Sequence, residues 1–460
     1  MRHIAGHRLN RAVALLLFLA LAGCSGRTPD PATSPTPTAT STPTPSPTPT
    51  GTPVPVTAWI RHVGSPAWDR GNTVGVDKEG NVIVSGAAQG PLPGQTLGGS
   101  WDAYAVKYGP DGTVVWTSQF TTGISIGALA SAVDGSGNIL LVGHVQGALP
   151  GQTNSGLDDA YVRKLAPTGT ALWTSQFGSS ETDSAFGVAA DGSGNIVVAG
   201  GTHGALPGQT ALGEEDAFVR KFSPEGAVIW TVQFGSSDLD GANGVVVDRD
   251  GNIIVAGATR GTLPGQTPVG SWDGYVRKLS PAGTELWTHQ FGTNAPDAAL
   301  GVAVDGSGNI IVVGHTMGIL PGQTKSSYDD GFVRKLSPAG TEMWTRQFGS
   351  RDSTEATAVA ADREGNIIVA GHAYGALPGQ TAVGLDDAYV RKYSPEGTVI
   401  WTSQFGSPAA DVAIAVAVDA TNTVYAVGHT YGAMPGQSNL GDWDAFVIRI
   451  DQRFASGPGG

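Results

Sequence analysis

The residues of this chain that could do chemistry fall into repeated series. Carboxylates stand at Asp69, Asp183, Asp240, Asp297 and Asp411, five positions of one series stepped by 57 residues, with Ile126 and Thr354 at the other two. Histidines share a second series at His144, His315, His372 and His429. Of eleven tryptophans, seven keep the same step from Trp59 to Trp401, and Trp68, Trp101, Trp272 and Trp443 stand outside that set. The chain has one cysteine, Cys24. Clustered carboxylates suit a cation, histidines suit a metal or a proton transfer, and flat aromatics beside acceptors suit a sugar or an aromatic-bearing peptide. Serine, histidine and aspartate are all present, but only as members of repeated sets. No nucleophile–base pair, metal-ligand cluster or phosphate loop occupies a distinguishing position, and no cofactor is expected.

What positions these residues is the repeat itself. The segment Leu/Met-Pro-Gly-Gln-Thr/Ser carries its glutamine at 95, 152, 209, 266, 323, 380 and 437, a strict step of 57 without insertion or deletion. In the third copy, SAFGVAAD, NIVVAG, DAFVRKF and VIWTVQF are short β-branched or apolar runs divided by Gly, Pro, Asn and Asp. Each copy therefore reads as a four-stranded meander. Four-stranded units repeated radially make propeller blades. The last copy stops before its fourth strand, with Pro458 where a tryptophan is due, whereas Trp59-Ile60-Arg61-His62-Val63 supplies such a strand at the other end. The expectation is an all-β, seven-bladed β-propeller of four-stranded blades, spanning 57–454, ring-closed by the N-terminal strand and monomeric.

Repetition also sorts the candidates. A unique site breaks symmetry, so residues common to every copy read as structural. Pro-Gly in the loop suits a type II turn, the aspartates from Asp102 to Asp444 accept hydrogen bonds from their own loops, and the repeated tryptophans fill the space between blades. The histidines end second strands, spaced around the ring too widely for shared metal binding. The five carboxylates are expected on the top rim around the channel mouth. Inner strands at least ~4.7 Å apart make a circle too wide for one bare ion, so Asp183, Asp240 and Asp297 are weak metal candidates, better suited to a hydrated cation. The stronger candidate site is the closure seam, where the first and last blades meet. Trp68, Trp101 and Trp443 should gather there with Asp69, Asp411 and Asp442.

Outside the ring, Met1 to Gly23 carries Arg2, Arg8 and Arg11 and then the apolar AVALLLFLAL, a secretory signal. Leu21-Ala22-Gly23-Cys24 resembles the lipobox of bacterial lipoproteins, which implies cleavage before Cys24, lipidation of its sulfur and acylation (as by palmitate) of the new amino group. Residues 24–56 are a Thr/Ser/Pro tract able to reach ~90 Å in extended form, and 455–460 a loose tail. The formal charge is −13, without a Lys/Arg cluster, which argues against nucleic acid as a partner.

GVAVDGSGNIIVVG (Gly301 to Gly314) followed by DGFVRKLSPAGTEMWTRQFG (Asp330 to Gly349) resembles the bacterial SBBP beta-propeller repeat. The resemblance covers all seven copies and implies an extracytoplasmic propeller, while it implies little about activity. The resulting expectation is a lipid-anchored binding or scaffold module for a glycan, peptide or envelope partner, held on the cell membrane, or on the outer membrane of a diderm host. The alternative is an extracytoplasmic hydrolase or lyase acting on polysaccharide.

Overall fold

The structure is a computed structural model that describes residues 54–453. The signal sequence, Cys24, the stalk up to residue 53 and the tail from residue 454 lie outside the described residues.

Seven antiparallel four-stranded sheets follow one another around a ring. Blade 3 is representative, with strands Asp183–Ala190, Ile196–Thr202, Asp216–Phe222 and Val228–Phe234 ordered from the channel outward. The second and third strands are buried along their whole length, as expected of runs apolar on both faces with a blade packed on each side. The outer strand starts exposed. We number the blades by their innermost strands, from Asp69 in blade 1 to Asp411 in blade 7.

Ring closure follows the sequence expectation. Strand Val54–Val63 pairs antiparallel with Asp444–Arg453 and completes the seventh sheet. It begins three residues before the boundary read at 57.

Sequence identities explain the regularity. In each blade the second strand has a glycine; at Gly200 an added Cβ would lie 2.0 Å from the Ser184 carbonyl oxygen, so the innermost strand can approach and bulge there only because no side chain intervenes. On the bottom rim, Asp77 Oδ1 accepts from the Glu79 and Asn81 amides, and Lys107 Nζ lies 2.8 Å from Asp77 Oδ2. Burial pushes this carboxyl up, yet the bonds from Lys107 and Asn81 outweigh it and hold the group below its usual range. Lys107 and Trp116 also both donate to the Pro167 carbonyl of the next blade.

The Arg-Lys pairs do point to opposite faces: Lys221 reaches Asp191 while Arg220 lies 4.2 Å above the Phe177 ring of the preceding blade. Arg163, Arg277, Arg334 and Arg391 repeat that stacking. Each is a desolvated cation over an aromatic face, worth about 1–2 kcal/mol.

Candidate functional site

The top rim is built by the Leu-Pro-Gly-Gln loop. Gly94 has φ 75° and the Gln95 amide bonds the Leu92 carbonyl at 2.8 Å, the type II turn the sequence suggested. The Gln95 side chain accepts from the Gln119 amide, and Gln119 in turn accepts from the Leu92 amide and donates to Asp102. Asp102 also accepts from the amides of Gly98 and Gly99 in its own loop. The same network recurs at Gln176–Asp159 through Gln404–Asp387. These loops are scaffolding.

The five series carboxylates are placed differently from expectation. They do not ring the channel mouth; they are buried in the blade junctions, none more than 1% exposed. Asp183 Oδ2 accepts from the Ser179 amide at 2.6 Å and hydroxyl at 3.1 Å, Asp240 accepts likewise from Ser236, and Asp297 from Thr293. Each lies beside the loop aspartate of the preceding blade, with the junction glycine between: a Cβ on Gly178 would stand 2.6 Å from both Asp159 and Asp183. Burial pushes Asp183 and Asp411 up to about 6. The physical reason for the correction is the short junction loop, whose Ser/Thr amide and hydroxyl cap the carboxylate and turn it inward. Among the described residues no group of three or more His, Cys, Asp or Glu is arranged to hold a metal.

The seam departs from this pattern. Asp69 accepts from the Ser65 amide and hydroxyl and, like the other four, has a buried Oδ1 without a hydrogen-bond partner, but here the neighbouring loop aspartate, Asp444, also has a buried Oδ1 without one. His62 takes the place of the glutamine, with Nδ1 3.4 Å from Asp444 Oδ2. A threonine opposes the carboxylate in blades 3, 4, 5 and 7, whereas Ala88 opposes Asp69. Burial, aided by the charge of Asp444 and offset only by Ser65, pushes Asp69 up to about 7.

The three seam tryptophans are divided. Trp68 is 39% exposed and donates from Nε1 to Asp442 Oδ2 at 3.1 Å, a bond across the seam. The Trp443 carbonyl accepts from the Asp69 amide at 2.8 Å, while its ring stacks edgewise on His429 and Tyr431 at 4.8 and 5.3 Å. Trp101 lies beneath the Arg70 guanidinium, whose Cζ is 5.3 Å from the ring centroid. Among the described residues no ring contact joins these three indoles. Asp411 belongs to the adjacent junction, where it bonds Ser407, and is not on the seam surface.

The seven copies differ in charge at one layer at the top of the innermost strands. Its residues pair across the first two strands: Arg70 with Ala87, Gly127 with His144, Ser184 with Gly201, Gly241 with Ala258, Ala298 with His315, Glu355 with His372, and Val412 with His429. The residue before each loop aspartate completes the layer as Trp101, Asp158, Glu215, Trp272, Asp329, Asp386 or Trp443. Parallel bridges and loop hydrogen bonds press that residue against the next blade, as in Trp101 on Ser125 and Asp329 on Ser353.

Electrostatics around the layer are uneven. His315 Nδ1–H donates to the Asp329 carboxylate, 3.1 Å from both oxygens; burial alone would lower its pKa, but Asp329, with Glu355 and Asp297, raises it to about 9. Glu355 is raised by burial against the pull of His372 and His315. Glu215 fills the space that Gly201 leaves and is pushed to about 8 by burial and by Asp240 and Asp216. On the other side, burial and the charge of Arg70 push His144 down to about 4 and His429 to about 3. Sequence reasoning had assigned the histidines to structure and had not singled out Arg70 or Glu355. The available signal was a charged residue at a position that other copies fill with Gly, Ser, Ala or Val.

Comparison with known proteins agrees on architecture. Residues 344–377, from the outer strand of blade 5 into the loop of blade 6, match the SBBP beta-propeller repeat family. The regulatory protein FlaEY of Caulobacter vibrioides is 26% identical over 243 residues, 49% of this chain and 24% of that protein, so the chain spans about a quarter of its relative's length. Among solved structures, the Neurospora crassa Pan2 WD40 domain is 13% identical with TM-score 0.47, covering 82% of this chain and 88% of that one. The polysaccharide lyase Uly1 is 11% identical with TM-score 0.46, covering 83% and 90%. At these identities and TM-scores the likeness carries nothing about ligand or activity.

Proposed function

We propose that this chain, a seven-bladed propeller carrying an SBBP beta-propeller repeat, is a binding module whose ligand face is the channel mouth on the top rim, centred on the seam between blades 7 and 1. The observation that carries this reading is a layer at the top of the innermost strands in which the seven copies diverge in charge and aromatic character. There the frame presents an arginine, three tryptophans, four histidines and five carboxylates in place of a repeated residue. Binding residues borne by loops and strand ends on a rigid frame are the usual arrangement. Trp101, Trp443 and the exposed Trp68 supply apolar area with a polar edge, and Asp442 supplies an acceptor. The ligand class is a glycan, with an aromatic-bearing peptide as the alternative.

A glycan and peptide array probed with the purified protein tests the reading. Trp101→Ala and Trp443→Ala should each weaken capture by about tenfold, in line with the loss of a buried aromatic contact. Capture that neither substitution changes would move the site elsewhere.

In the same proposal the ring is held at an envelope surface through lipidated Cys24 and the Thr/Ser/Pro stalk. Support comes from the apolar run that ends in Leu-Ala-Gly-Cys. Cys24→Ala should then release the protein from the detergent phase. A polysaccharide hydrolase or lyase is the second reading, favoured by the raised Glu355 beside His372 and His315. Appearance of new reducing or unsaturated ends in a polysaccharide panel, lost in Glu355→Gln, would select it.

A further inference from the structure

Arg70 is the one arginine on an innermost strand, and like Arg163 of the third strands it has an aromatic face but no hydrogen bond among the described residues. Arg220, Arg277, Arg334 and Arg391 each donate to a threonine hydroxyl while stacked on a phenylalanine, and Arg61 and Arg346 donate to backbone carbonyls of the next blade. Arg70 has only the face of Trp101. Among the described residues its guanidinium has no hydrogen bond and no ion pair, although it is half-buried on an innermost strand.

Its surroundings are shaped to leave those donors facing the mouth. Ala87 stands opposite, where four other blades place a histidine. On the blade 2 side the innermost strand is glycine, so that an added Cβ at Gly127 would meet His144 Cε1 at 3.4 Å and Ala87 Cβ at 3.8 Å. On the blade 7 side, Gly71 packs onto the Gly428 carbonyl, bringing Arg70 beside His429. Trp443, stacked on His429, is bonded through its backbone to Asp69, the residue before Arg70. The nearest carboxylate in sequence, Asp69, is capped by Ser65. The planar fork of donors, half-buried on the face of Trp101, has no protein acceptor among the described residues and is open to a ligand. A planar carboxylate is its bidentate match.

We propose that Arg70, stacked on Trp101 beside the seam, is a subsite for a carboxylate carried on a sugar ring, so that the ligand is a glycan containing uronic acid. This deepens the binding-module reading and rests on it. A sugar is the match in shape: a pyranose lays its flat C–H face on an indole of the rim while its carboxylate reaches sideways to the Arg70 fork. The net charge of −13 does not oppose this, because exposed charges more than about 8 Å away are screened at physiological ionic strength.

The test is an affinity series with the purified protein against tetramers of galacturonate, glucuronate and mannuronate, each paired with its carboxyl-reduced counterpart of identical linkage. At least one acidic tetramer should bind about tenfold or more tighter than its reduced partner, the effect of one charge-assisted pair. Arg70→Gln should bring the two forms to equal affinity and leave the reduced form and the melting temperature unchanged, and Arg70→Lys should restore part of the preference. Equal binding of acidic and reduced forms by the unaltered protein, or a preference that survives Arg70→Gln, overturns the carboxylate subsite and leaves the glycan-binding module standing. If no tetramer of either form binds and only peptides are captured, both the subsite and the glycan reading fall.

Discussion

Replacing Asp69 by asparagine should stabilise the ring, and more so as pH rises. The carboxyl is fully buried, and burial, aided by the charge of neighbouring Asp444, raises its pKa from 3.8 to about 7. The folded chain thus holds this proton more tightly than the unfolded chain. Its contribution to stability therefore falls as pH climbs from 3.8 towards 7 and is flat above that. Each tenfold in proton affinity is worth about 1.4 kcal/mol, so the ionised group costs the fold on the order of 4 kcal/mol. An amide keeps one oxygen for the Ser65 amide and hydroxyl and can donate to Asp444 Oδ1. Because all other groups cancel in the comparison, the advantage of Asp69→Asn should grow by about 3 kcal/mol between about pH 5 and about pH 8. Denaturant midpoints of the two proteins across that range measure it. A difference that stays flat with pH, or shrinks as pH rises, refutes the reasoning.

Three further outcomes follow from the same frame. Deleting residues 1–64 removes the strand paired with Asp444–Arg453 and should yield an aggregating ring with an open edge, while deletion of 1–50 should leave solubility and melting temperature unchanged; equal behaviour of the two would disprove closure. Trp68→Ala with Trp101→Ala should weaken ligand capture at little cost in stability, since Trp68 is 39% exposed; a loss of several degrees in melting temperature with undiminished capture would make these indoles packing residues. Arg277→Met should cost about 1–2 kcal/mol, read by chemical unfolding, because its Cζ lies 4.0 Å from the Phe234 ring and its Nε donates to Thr288.

The architecture was legible because it is written seven times. A strict period with Gly/Pro punctuation leaves few alternatives, and the tryptophan at 59 with none at 458 states where the chain closes. The direction of a side chain at a junction was not legible. Asp183 reads as a rim carboxylate by position, but its environment is decided by whether the Ser179 amide and hydroxyl fold back onto it, a contact between residues four apart in an irregular loop. The roles of Trp68 and Trp443 were similarly split by contacts with Asp442 and Tyr431 that no periodicity encodes. Arg70 was legible in principle, as the one arginine in its column, though repeated motifs draw attention away from a lone exception.

That exception explains why the frame is so uniform. Six of the seven blades use the same lysine–aspartate pair and the same glutamine network, and five the same arginine–phenylalanine stack, to hold their neighbours. With position fixed by those contacts, the layer at the top of the innermost strands need not contribute to packing. It can vary freely, as Gly127, Ser184 and Glu355 in blades 2, 3 and 6 illustrate. The seam shows the limit of that freedom. There His62 replaces glutamine, Ala88 replaces threonine and Arg449 replaces lysine, because a strand from the far end of the chain must complete the sheet. The Asp69 carboxyl is left short of donors at the same junction where Arg70 is left short of acceptors. One strand thus carries, at successive residues on opposite faces, a carboxyl that favours a proton and a guanidinium that favours an anion. Protonation of the first removes a negative charge from beside the second, so carboxylate binding at Arg70 and proton uptake at Asp69 should reinforce each other.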